Sequence, residues 1–200
     1  MTDDASDERA GATEDHRGEA ADPPGGDDET PTVESLLRSA GVLELTPDGT
    51  DVRLTETFER ALFERIAQLR GGDRAIKWLA ASRGVDPGEV AVTTDGDRFV
   101  VGHEGKRIGA WHSEAGFLAA VAAEPTLTEW VDEDRLADLP DEARAELSAR
   151  LVMCLERCPS CDGALSFVER ESDESDPEVA LQCTDCASTI ATAPGSATED

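Results

Sequence analysis

Apolar residues recur at helical spacing through Val33, Leu36, Leu37 and Val42 of "TVESLLRSAGVLEL", which predicts a short helix stopped at Gly41. The following "LELTPDGTDVRLT" alternates about Asp48 and Gly49 and predicts a hairpin. Thr55 is placed to cap a helix carrying Phe58, Leu62, Ile66 and Leu69 on one face, Gly71 and Gly72 break that helix, and "DRAIKWLAAS" begins another. Between Glu89 and Trp111 the alternation is strongest. With Asp95-Gly96 and Glu104-Gly105 as turn centres, Val92 falls opposite Phe99, Val90 opposite Val101 and Phe99 opposite Ala110. One face of this three-stranded antiparallel meander then carries Val90, Val92, Phe99, Val101, Ile108 and Ala110. Ser113 can cap the next helix, "EAGFLAAVAAE", which would cover that face.

After Pro125 the pattern predicts a short helix around Leu127 and Trp130, and a longer one beginning near Pro140, where a proline ring suits the first turn. Its apolar residues Ala143, Leu147, Leu151 and Leu155 recur every fourth position and run directly into Cys158. The expected fold class is therefore α+β: a small body of helices and a meander over residues 32–153, then a cysteine-bearing hairpin over 154–190. The flanks 1–31 and 191–200 hold almost nothing to bury and are expected to be disordered.

Composition adds two constraints. With three Trp, five Phe and no Tyr in 200 residues, the core must be built mostly from Leu, Val, Ile and Ala. The formal net charge of -27 is spread along the whole chain, and apart from Lys77 and Lys106 all sixteen bases are arginines. This acidic, lysine-poor composition resembles that of proteins from salt-loving archaea, where high salt screens self-repulsion, so the acidity reads as adaptation to solvent and not as a partner signal. The N-terminal "MTDDASDERAGATEDH" lacks the basic and apolar regions of a secretory signal, and the longest apolar run, Ala115 to Ala123, is far short of the roughly 20 residues of a bilayer span. A cytoplasmic protein without membrane association is expected.

In a reducing compartment paired Cys-x-x-Cys motifs point to a metal before disulfides. Here "CPSCDG" supplies Cys158 and Cys161, and "CTDC" supplies Cys183 and Cys186, with 21 residues between Cys161 and Cys183. A Cys-x-x-Cys turn lets two sulfurs converge on one ion, and two such knuckles at the ends of a hairpin close a tetrahedral zinc site. "ALSFVE" and "EVALQC" can form the strands and "RESDESDP" the loop. "CPSCDG" resembles the CPxC-x-G knuckle of zinc-ribbon proteins; the resemblance covers Cys158 to Ile190 and implies a fold and a metal but no single activity. The second knuckle lacks the glycine and Phe167 is the sole nearby aromatic, which weakens a rubredoxin-like reading, so iron stands as the lesser alternative to one zinc ion. A site closed by four thiolates leaves no open position for substrate, and its role is expected to be structural. Arg157 and Arg170 are near enough in sequence to offset part of its charge, and Cys154 reads as a small buried apolar residue.

Other candidates are weaker. His103 is expected to face Lys106 across its turn and His112 to lie at the far end of the meander, so the two make no ligand pair; Trp111 would sit opposite Arg98. No phosphate loop, nucleophile elbow or zinc-protease motif occurs, and the acidic run between the knuckles lacks the spacing of a calcium loop. The segment 60–83 has six bases against two acids, with Arg70, Arg74 and Lys77 as candidate nucleic-acid contacts, and the hairpin before it resembles the wing of a winged-helix protein. Only one short helix precedes that wing, and the competing reading is a solvated helical hairpin whose arginines pair with acids. The function expected from all this is a non-enzymatic zinc-binding interaction or regulatory module with a protein partner, the alternatives being a nucleic-acid-associated regulator or an enzyme with a structural ribbon.

Overall fold

The computed structural model describes residues 32–96, 98–137, 139, 141–170 and 178–194. The expected flank 1–31, the turn around Asp97, Pro140 and most of the acidic loop between the knuckles fall outside them. Helix α1 (Val33–Ser39) starts at Thr32, whose Oγ1 accepts from the Ser35 amide at 3.2 Å, and Gly41 ends it at φ +72°. Strands β1 (Leu43–Leu45) and β2 (Val52–Leu54) form the expected hairpin. Thr55 then caps α2 (Glu56–Leu69), which buries Phe58, Leu62, Phe63, Ile66 and Leu69, and α3 (Arg74–Ser82) follows the double-glycine corner.

The meander comprises β3 (Val90–Asp95), β4 (Arg98–His103) and β5 (Lys106–Trp111) in that order. Helices α4 (Glu114–Thr128), α5 (Glu133–Ala137) and α6 (Asp141–Met153) come next, then a second antiparallel sheet of β6 (Leu165–Arg170), β7 (Glu178–Cys183) and β8 (Thr189–Pro194). Apolar almost throughout, α4 is the hub of the core, as a helix hydrophobic on every side must be. It touches α2, α3, α6, β5 and β8. One continuous apolar cluster runs from Leu37, Phe58 and Ile66 through Phe117 and Ala122 to Leu151, Leu181 and Ile190.

Five expectations change. Val92 pairs with Val101 and Asp95 with Arg98, so the first turn sits one residue later than expected; this two-residue slip keeps every side chain on its own face. His103 faces Lys106 as expected, but a bulge follows: Val101 pairs with Gly109 while Gly102 pairs with Arg107, leaving Ile108 as the extra residue. Beyond the bulge Phe99 therefore faces Trp111 and not Ala110. Trp111 does not reach out to Arg98; its ring covers the bare backbone of Gly109 and meets Phe117 edge-on at 4.9 Å. Helix α4 also passes through Pro125 to Thr128, because Thr126 and Leu127 are buried there and the lost amide falls in the last turn. Finally β8 extends over Ala191 to Pro194, in the segment expected to be an unstructured tail, since pairing with β7 and burial of Ile190 compensate for its small side chains.

Candidate metal centre

Leu151 and Val152 at the end of α6 and Leu155 just beyond it are buried, which fixes where the chain enters the first knuckle. That knuckle is closed by two backbone hydrogen bonds: the Cys158 amide donates to the Gly163 carbonyl at 2.7 Å and the Asp162 amide to the Cys158 carbonyl at 3.0 Å. The second knuckle repeats the pattern, Cys183 to Ser188 at 3.0 Å and Ala187 to Cys183 at 3.0 Å. Asp162 and Ala187 occupy the same position in each turn, both in the left-handed region at φ +61° and +57°. Ser188 thus takes the place of Gly163, so the missing glycine does not alter the second turn. Pairing of Leu165 with Cys183 brings the two knuckles together, and the Thr184 amide ties to the Ala164 carbonyl at 3.0 Å. Gly163 leaves room for Asp185 at the junction: a Cβ there would lie 2.4 Å from Asp185 Oδ2, and that side chain would have to move.

The four sulfurs of Cys158, Cys161, Cys183 and Cys186 all lie within 4.8 Å of one another. Two pairs cross between knuckles, Cys158 to Cys186 at 3.7 Å and Cys161 to Cys183 at 3.5 Å. Four thiolates at 2.3 Å from a central ion would stand about 3.8 Å apart at the edges of a tetrahedron. A disulfide needs about 2.05 Å, and all five cysteines are free thiols. The arrangement can hold one metal ion. Cys158 and Cys183 are buried while Cys161 and Cys186 face solvent. Burial pushes the Cys158 thiol up to about 12, whereas hydrogen bonding from Ser188 brings Cys186 down to about 6. A bound cation would replace the protons and relieve the cost of burying the Cys158 thiolate. Cys154 stands apart, part-buried against the core, and its thiol is raised to about 11 by burial.

The cation at this site comes from the body, not from the neighbouring sequence. Arg70, at the end of α2, donates through Nε to the Pro159 carbonyl at 2.9 Å and through Nη1 and Nη2 to the Asp162 carboxylate at 2.8 and 2.9 Å. The guanidinium holds the Asp162 carboxyl below the ordinary carboxylate range. Arg157 stacks 4.0 Å over the Phe63 ring and bonds Glu59 at 3.2 Å, acting on Asp162 only through space, and Arg170 lies opposite Glu178 in the strand register at the far end of the hairpin. Four other bases of the 60–83 segment have acidic or carbonyl partners: Arg60 with Glu56, Arg65 with Glu129, Arg74 with the Gln68 carbonyl, and Lys77 with Asp73. A cleft of about 550 Å³ between α2 and the first knuckle is lined by Phe63, Ala67, Arg70 and Asp162 among others.

The ribbon is seated on the body by β8. Ser113 Oγ donates to the Thr189 carbonyl at 2.6 Å, and His112 Nε2 meets Thr192 Oγ1 at 3.2 Å, so His112 belongs to this joint instead of the open end of the meander. A Cβ on Gly116 would lie 2.4 Å from the Ile190 carbonyl oxygen, so α4 and β8 meet backbone to backbone. A glycine inside the apolar helix "EAGFLAAVAA" was the available sequence signal for such an approach. Arg70 carried no comparable signal.

Fold and site together define an α+β protein with a C-terminal four-cysteine ribbon able to hold one metal ion. The chain belongs to the DUF8054 family, a family of unknown function, whose central-domain model matches residues 32–152. All four cysteines lie beyond the matched segment. No curated protein and no solved structure matches the chain. Among the described residues no helix is long and apolar enough to cross a membrane.

Proposed function

We propose that Cys158, Cys161, Cys183 and Cys186 bind one zinc ion, that the zinc is structural, and that the protein works without catalysis as an interaction or regulatory module in a reducing, cytoplasmic setting. The observation that carries this reading is the convergence of four sulfurs within 4.8 Å on two knuckles of matching hydrogen bonding. Four thiolates fill a tetrahedron, so the ion has no position left for water or substrate. A protein partner is supported by β6, an outer strand of its sheet, where Phe167 and Val168 are 60% and 39% exposed. Arg70, Arg74 and Lys77, engaged with Asp162, Gln68 and Asp73, give nucleic-acid binding no comparable support.

The test is Cys183→Ser in the full chain. Zinc content should fall from one ion per chain to none, and hydrogen-exchange protection should be lost across β6, β7 and β8. Unchanged zinc and unchanged protection would refute the site. A photo-crosslinker placed at Phe167 should give a discrete protein adduct in native extract, and its failure to form any adduct would count against a protein partner at this strand.

A further inference from the structure

Arg70 lies 89 residues from Pro159 and 92 from Asp162 in sequence, yet makes three hydrogen bonds to the first knuckle. Two of its targets lie on opposite sides of the turn. Pro159, fully buried, sits between Cys158 and Cys161, and Asp162 is the residue whose left-handed backbone lets the turn close. One planar fork therefore fixes the carbonyl of one arm and the carboxylate of the other, a geometry a lysine ammonium cannot reproduce. On the body side, Arg70 is the residue that ends α2: its amide donates to the Ile66 carbonyl at 2.7 Å, and Gly71 and Gly72, at φ +89° and +61°, lead from it into α3.

Zinc with four thiolates carries a net charge of about minus two, and such a site is stabilised by a nearby fixed cation. Arg170 lies at the far end of the hairpin, and Arg157, paired with Glu59, acts on Asp162 through space without bonding the knuckle. Electrostatic attraction to Cys158 and Cys161 adds to that of Asp162 in holding Arg70 in its charged form.

Resting on the zinc reading above, we propose that Arg70 is a positioning residue of the metal centre: it holds the first knuckle ready for the ion and transmits metal occupancy to the α2–α3 corner of the body. Coupling of this kind runs both ways, so whatever loosens the clamp speeds metal loss, and metal loss frees the corner. The consequence is a body whose local stability around residues 66–75 reports the state of a site far away in sequence.

The experiment uses the zinc-loaded full chain and follows zinc release to a chromophoric chelator, with hydrogen exchange over 66–75 before and after chelation. Arg70→Ala should speed release about 10- to 100-fold, Arg70→Lys should recover only part of that loss, and Lys77→Ala should match the wild type. Asp162→Asn, which keeps a side chain tolerant of the left-handed backbone, should also speed release and covers the case in which Arg70→Ala fails to fold. In the wild type, chelation should raise exchange over 66–75; in zinc-loaded Arg70→Ala that exchange should already be raised. Wild-type release rates in Arg70→Ala and Asp162→Asn, or exchange over 66–75 indifferent to zinc, would overturn this inference alone. A wild-type chain that takes up no metal would overturn the zinc reading with it.

Discussion

At the scale of single residues, the cysteines were legible because their chemistry is encoded in spacing: two Cys-x-x-Cys turns predict a shared ion from a few adjacent letters. Arg70 was not, because its role is set by a fold that places the end of α2 against a loop 92 residues away. Gly116 lies between these cases. Gly116→Ala would force a methyl group into the Ile190 carbonyl, which belongs to backbone and cannot swing aside. A loss of about 1–3 kcal/mol in urea unfolding is expected, of the size seen when extra carbons are forced into a packed core; a neutral result would mean that α4 and β8 are not in backbone contact. Cys154 gives a second check. With its thiol near 11, about one part in a thousand is thiolate at pH 8, so in chelator-treated protein it should, with Cys158 near 12, be among the last of the five to react with iodoacetamide, and Cys186, near 6, among the first. Mapping the modified cysteines by mass spectrometry over time reads this order directly.

At the scale of elements, caps and periodicity predicted α1, α2, the first hairpin and the meander, since each is determined by neighbours in sequence. What failed were choices that depend on distant packing. A bulge at Ile108 and the passage of α4 through Pro125 follow from what the sheet and helix cover, and β8 has few large apolar residues of its own to announce it. The joint between β8 and the body should be sensitive to pH through His112. Burial, with a smaller effect of Arg98, lowers its pKa from 6.5, so the folded state favours the neutral ring. The contribution is complete above about pH 6.5 and is lost as pH falls through the lower folded value. His112→Gln should flatten that part of the stability profile between neutral and mildly acid pH, measured by denaturant titration against the wild type. Identical slopes would remove His112 from the account.

At the scale of the whole molecule, the ribbon and the body do not have separate cores. Leu181, Cys183 and Ile190 belong to the same cluster as Phe117, Leu147 and Leu151. From sequence alone, loss of the metal would be expected to unfold the ribbon and spare the body; the shared cluster instead predicts that chelation lowers the stability of α4 and α6 as well, and that the loaded protein unfolds in one transition. Two separate transitions, with the first confined to the ribbon, would contradict this. Salt acts at the same scale. The charge of -27 predicts that melting temperature rises with potassium chloride between 0.1 and 1 M, where the Debye length falls from about 10 to 3 Å; a flat or falling curve would argue against solvent adaptation.

Everything proposed for the ribbon depends on four cysteines from two turns holding one zinc ion. Elemental analysis of the full chain, purified under reducing conditions at high salt, tests it most directly, with an absorption spectrum recorded on the same sample. About one zinc per chain and no visible colour are expected. Metal-free protein with five thiols open to titration, or iron with visible absorption, would contradict it.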